Sequence, residues 1–193
     1  MKKIILSVAA ICMMAVASVS AQEMTWGAKV GVNVAGITNS IDCSSRLGLV
    51  VGVTGEYEMS ESSYLSADLL YSAQGNKYKY ELGGVDCVDK YNYAYLNIPI
   101  MYNYYVVEGV AVKLGIQPGF LLGARWVEKE DDEKEDGKIT GANGFDFAIP
   151  IGVSYDLSER LVLDARYVMG LSKIYDGWKG KNKALQITLG YKF

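Results

Sequence analysis

Leu185-Gln-Ile-Thr-Leu-Gly-Tyr-Lys-Phe193 alternates strictly in polarity. Successive side chains of a strand point to opposite sides. Leu185, Ile187, Leu189, Tyr191 and Phe193 therefore share one face, and Gln186, Thr188, Gly190 and Lys192 share the other. A strand of about ten residues, apolar on one face and polar on the other, is the repeating unit of a transmembrane β-barrel.

Working outward from this stretch, seven further segments show the same period of two. They are Thr25–Ile37, Leu47–Tyr57, Ser63–Gln74, Tyr93–Val106, Ala111–Gly123, Phe145–Tyr155 and Leu161–Leu171. The fourth presents Leu96, Ile98, Ile100, Tyr102 and Tyr104 on its apolar face. Connections near 38–46, 75–92, 124–144 and 172–183 are long and polar, whereas those near 58–62, 107–110 and 156–160 are tight. Short periplasmic turns alternating with longer extracellular loops characterise bacterial outer-membrane barrels. The expectation is an all-β protein, an eight-stranded antiparallel up-and-down transmembrane barrel. Pro99, Pro118 and Pro150 fall inside predicted strands, where a closed barrel has no free edge, so bulges or kinks are expected there.

The decisive question is which face looks outward. The apolar face holds nearly all the Leu, Ile and Val. The opposite face collects Gly27, Gly31, Gly48, Gly52, Gly115, Gly119, Gly123, Gly152, Gly170 and Gly190 together with Lys29, Asn33, Glu56, Asp68, Lys113, Gln117, Asp146, Asp164, Arg166, Gln186 and Lys192. An eight-stranded barrel has an interior only just wide enough for side chains. The glycine-crowded face is therefore inside, and the bulky charge-free face meets lipid. A Lys or Arg at the midplane of that outer face would cost roughly 2–4 kcal/mol.

The N-terminus reads as an export signal. Met1-Lys-Lys3 is a charged start, Ile4 to Val19 is a short apolar core, and Val19-Ser-Ala21 is a small-residue cleavage pattern, with the cut placed after Ala21. Residues 1–21 form the signal peptide and residues 22–193 a single barrel domain. Cys12 lies inside the apolar core behind Ile11 and does not suit lipidation. Losing Lys2 and Lys3 lowers the basic count from 19 to 17 against 22 acids, which argues against nucleic acid as a partner. No apolar run of the mature chain reaches a helical span, so a membrane-spanning form has to be a closed barrel.

Several stretches carry a resemblance in their order and spacing: Gly27-Ala-Lys-Val-Gly-Val-Asn33, Leu69-Leu-Tyr-Ser-Ala-Gln-Gly75, Leu96-Asn-Ile-Pro-Ile100, Asp164-Ala-Arg-Tyr-Val-Met-Gly-Leu-Ser172 and Gly190-Tyr-Lys-Phe193. With them the chain resembles the porin-like outer-membrane β-barrel domain family of Gram-negative bacteria over residues 24–193. The resemblance implies an eight-stranded barrel, too narrow for a porin-sized channel. The ending at Tyr191 and Phe193 resembles the signal read by the barrel-insertion machinery.

The absence of histidine excludes a Ser-His-Asp triad, a Cys-His dyad and His-based metal sites. No carboxylate pair is spaced for catalysis, and no cofactor is implied. Lys29, Glu56, Asp68, Lys113, Asp164 and Arg166 read as an ion-pair network filling the lumen, with an ion or proton relay as the alternative. Cys43 and Cys87 lie in the first and second predicted outer loops, and in an oxidising compartment they are candidates for a disulfide, the alternative being two separate thiols. Glu128 to Lys138 reads as a solvated acidic loop, or as one bridged to lipopolysaccharide by divalent cations. With Asp132 as position one, Lys134 and Asn143 break the calcium-loop pattern at positions three and twelve. Tyr78, Tyr80, Tyr91, Tyr93 and Tyr95 on one side and Tyr102, Tyr104 and Tyr105 on the other read as aromatic girdles. A tyrosine-rich recognition surface at the second loop is the alternative.

The function expected is a non-enzymatic integral outer-membrane protein, a plugged barrel whose surface loops serve envelope integrity or surface interaction. A narrow channel for small solutes or ions is the second reading, and a soluble periplasmic barrel the third. Partners expected are outer-membrane lipid and lipopolysaccharide.

Overall fold

The computed structural model describes residues 24–39, 43–82, 85–130 and 133–193. The segment read as a signal peptide, residues 1–21, lies outside them. Among the described residues ten strands follow in order: β1 (Met24–Ile37), β2 (Cys43–Ser60), β3 (Ser63–Leu82), β4 (Val85–Asn97), β5 (Ile100–Val107), β6 (Val110–Glu130), β7 (Glu133–Lys138), β8 (Phe145–Asp156), β9 (Leu161–Gly170) and β10 (Asn182–Lys192). β4 and β5 are successive parts of one wall strand, and β7 is an arm paired with β6. The wall thus has eight members in the order β1, β2, β3, β4/β5, β6, β8, β9, β10. All pair antiparallel, and β10 pairs both β9 and β1, so the ring closes. The fold is an eight-stranded up-and-down barrel.

Adjacent rungs of one ladder show what each face meets. Val32 pairs with Ile187, and both point outward with 44% and 46% of their surface exposed. On the next rung Asn33 pairs with Gln186, and both are wholly buried. Polar residues inside and apolar residues outside are the reverse of a water-soluble barrel. Closure also leaves the wall without a free edge.

The tight connections, after Ser60, Val107 and Asp156, lie at the end that also carries Met24 and Lys192. The opposite end differs from the sequence expectation. Residues 75–92 and 124–144 read as loops, yet β3 continues to Leu82, β4 starts at Val85, and β6 and β7 form a hairpin through the acidic stretch. Each of these hairpins carries charged residues on both faces, mixed with aromatic ones. The ladder then persists without the polarity alternation that would reveal it.

The fourth predicted strand is also corrected. It breaks at Ile98–Pro99, and Ile98 is buried rather than outward. Backbone bonding continues around the break: Ile98 N donates to Pro118 O at 2.8 Å, and Asp68 N donates to Pro99 O at 3.0 Å. Pro150 falls in the interval where the β6–β8 register passes from Leu114–Ile151 to Gln117–Ala148. The ring places the three prolines in neighbouring parts of the wall.

Candidate functional site

Arg166 on β9 occupies the centre of the lumen. Its Nε donates to Asp164 Oδ1 at 2.9 Å, and its Nη2 donates to Asp68 Oδ2 at 3.1 Å. Asp68 Oδ1 also accepts from Lys29 Nζ at 2.8 Å and from Thr54 Oγ1 at 2.6 Å. Lys113 Nζ bonds the second oxygen of Asp164. All five charged residues are buried. They come from β1, β3, β6 and β9. In the ring of eight, β3 and β9 stand four places apart, as do β1 and β6. The Asp68–Arg166 pair therefore crosses the full width of the lumen.

Glycines make the room for these side chains. Lys29 is flanked on its rung by Gly52 and Gly190. Gly152 stands opposite both Lys113 and Arg166. A Cβ at Gly52 would lie 2.9 Å from Leu70 Cα, and one at Gly152 would lie 2.8 Å from Arg166 Cβ, tighter than packed carbons allow.

Glu56, grouped with these charges in the sequence, lies apart from them. It bonds Lys192 at 3.0 Å near the tight-turn end. The β2 register carries Glu56 beyond Thr54 toward that turn. Sequence reading placed Lys192 on the inward face but left it out of the network, and it did not name Thr54. The available signal was their position on the inward face beside Gly52 and Gly190.

The long-loop end is closed by aromatic residues. Tyr93 and Tyr95 belong to no girdle: they are buried with Ile37 and Ile174 inside the mouth. The odd-numbered residues of β4 face inward there. Tyr93 Oη bonds Tyr175 Oη at 2.9 Å, and Asn182 Nδ2 donates to Tyr95 Oη at 3.1 Å. The segment after β9 folds over this cluster, with Asn143 N donating to Ile174 O at 2.8 Å. Above it sits a cup of about 270 Å³ lined by Asn76, Tyr78, Tyr91, Tyr175 and Trp178. Tyr78 and Tyr91 meet edge to face at 5.8 Å. Burial, and then the nearby Asp89 carboxylate, raise the Tyr91 phenol above its ordinary range. Tyr102 and Tyr104 instead project outward at the other end, each nearly half exposed.

Cys87 on β4 is buried, while the side chain of Cys43 lies outside the described residues. The register sets Cys43 opposite Tyr78 and Cys87 opposite Tyr80, with β3 between them. Tyr191 and Phe193 are exposed on the outer face, with ring centroids 6.1 Å apart. Phe193 N donates to Trp26 O at 2.8 Å, which ties the last residue to β1. Among the described residues no group of His, Cys, Asp or Glu is arranged to hold a metal ion.

The family model described as "outer membrane protein beta-barrel domain" matches residues 20–176, well over half the chain. The chain belongs to this family. No curated protein sequence matches it. Among solved structures, the attachment invasion locus protein Ail of Yersinia pestis is similar at a TM-score of 0.53 and 14% identity, covering 89% of this chain and all of Ail. Ail in complex with the heparin analogue sucrose octasulfate gives a TM-score of 0.51 at 13% identity, with the same coverage. Neisserial surface protein A gives a TM-score of 0.47 at 14% identity, covering 88% of this chain and 97% of that one. At these identities the likeness is one of fold. It agrees with membership of the outer-membrane β-barrel family, which points to the outer membrane.

Proposed function

We propose that this chain is a non-enzymatic integral protein of the Gram-negative outer membrane, a closed scaffold that holds its outer hairpins at the cell surface. The observation that carries the reading is the Asp68–Arg166 pair joining opposite walls of the lumen, reinforced by Lys29 and Lys113. Side chains that meet across a narrow barrel leave no aqueous path at that level. The signal segment ending at Ala21 delivers the chain to the periplasm. Tyr191 and Phe193 present the last strand to the insertion machinery. Envelope lipid, including lipopolysaccharide, surrounds the wall, and the aromatic cup and hairpin tips offer the surface for interaction.

Planar-bilayer recording tests the closed lumen. Purified protein free of lipopolysaccharide is expected to give no resolved unitary steps. Steps that persist across preparations would replace this reading with a narrow channel for small solutes or ions.

A further inference from the structure

A larger recess opens on the outward side of the wall, where Tyr71 and Leu122 project, and its inner end reaches Tyr93, Ala124 and Ile139 beside the buried mouth cluster. It measures about 640 Å³ and lies toward the long-loop end. Tyr71, outward and exposed, forms one side. The floor is built from Ala73, Ala94 and Gly123, none of which reaches past Cβ. Gly123, expected on the inward face, is exposed here beside the register shift, and a Cβ added to it would meet no atom within 4 Å, so the recess is open there. Two irregularities of the wall frame it: the β2–β3 register shifts between Ser45 and Val50, and the β4–β6 register shifts at Ala94 and Tyr95.

The rim is basic. Arg46 comes from β2, Arg125 from β6 and Lys138 from β7. Arg125 and Lys138 are ladder partners, so they form one positive group. Arg46 forms another, its Nη1 donating to Gln74 O at 3.0 Å. The Asp136 carboxylate lies 4.0 Å from Arg125, an exposed and weak pairing. These cations stand out in a chain of net charge −3. With β3 and β4 between β2 and β6, strand spacing puts the two positive groups about 14 Å apart. One phosphate cannot reach both. A headgroup with phosphates at its two ends can, and Arg binds phosphate strongly through charge-assisted bonds.

We propose that this groove binds a phosphorylated, multiply acylated glycolipid of the outer leaflet. One phosphate meets Arg46, the other meets Arg125 and Lys138, and an acyl chain lies on the small-residue floor. The proposal rests on the outer-membrane reading above and adds a defined lipid site to it. It differs from the ordinary tendency of Arg and Lys to reach up to the headgroup zone from any part of a barrel.

Native mass spectrometry of the full mature chain in detergent tests it, with diphosphorylated lipid A as the probe. Its phosphate-free counterpart and phosphatidylglycerol are the comparisons. The wild type is expected to carry one diphosphorylated lipid A and to retain neither comparison lipid. Arg46→Gln with Arg125→Gln and Lys138→Gln should weaken retention roughly tenfold or more, while Lys173→Gln with Lys179→Gln and Lys183→Gln, an equal charge change elsewhere on the rim, should leave it within about twofold. Arg46→Gln alone and the Arg125→Gln/Lys138→Gln pair, each with wild-type heat-modifiable mobility, should each weaken it, so misfolding of the triple variant does not remove the test. Equal retention of the phosphate-free lipid or of phosphatidylglycerol would overturn the proposal, as would equal loss in the control triple. A wild type that never shows heat-modifiable mobility would instead bring down the membrane reading itself.

Discussion

At the scale of single residues, charge balance decides which lumen substitution is worst. Three cations, Lys29, Lys113 and Arg166, share two carboxylates, Asp68 and Asp164. Asp164→Leu leaves Lys113 without its carboxylate and Arg166 with only one. Breaking a buried pair from one side costs about 3–5 kcal/mol. Arg166→Leu removes the surplus cation and leaves Lys29–Asp68 and Lys113–Asp164 in place, so its cost should be smaller. Ile187→Leu on the lipid face keeps size and apolarity and should cost under about 1.5 kcal/mol. Urea unfolding in lipid vesicles is expected to rank them in that order. If Asp164→Leu proved as mild as Ile187→Leu, the β9 register would be wrong by one residue, which would turn that strand inside out.

At the scale of elements, the pair to examine is β2 and β4, which carry Cys43 and Cys87 on either side of β3. With β3 between them the two strands stand roughly 10 Å apart, so a disulfide there has to draw the outer ends of β2 and β4 together, and it would staple the first two outer connections. Mass spectrometry of unreduced digests is expected to find the linked peptides, and quantitative thiol labelling of both residues in fresh membranes would show two separate thiols instead. The elements most legible in the sequence were those with one face in lipid and one in the lumen, such as β1 and β10. There Val32 and Ile187 contrast with Asn33 and Gln186 at every step. Legibility fell where that contrast disappears. The outer halves of β3 and β4 carry charged residues on both faces, mixed with aromatic ones, so Lys77 to Tyr80 read as loop although their backbone is paired. The inward turn of Tyr93 and Tyr95 was hidden for a related reason. A tyrosine suits both an interface girdle and a buried hydroxyl network, and only tertiary packing chooses between them. The charged centre was visible as a set of residue types on one face. Which acid meets which base was not, because that depends on strands standing opposite one another across the lumen.

At the scale of the whole molecule, a ring with no free edge and an apolar exterior requires a bilayer as solvent. Cell fractionation is expected to place the mature chain in the outer membrane, with mobility that shifts on heating in detergent gels. Recovery as a soluble periplasmic species would contradict it. The Asp68–Arg166 pair has a mechanical meaning as well. A thin-walled tube under sideways pressure yields first by flattening to an ellipse. Here β3 and β9 are tied across one diameter, and β1 and β6 are tied to each other through the same five side chains. These ties act as spokes. Lateral pressure from the surrounding bilayer is carried across the middle of the cylinder instead of being taken up by bending of the wall. Without Asp68 the wheel would lose its central diameter, and its cross-section would rest on the backbone ladder, the Lys113–Asp164 chord and the Asn182–Tyr95 bond nearer the mouth.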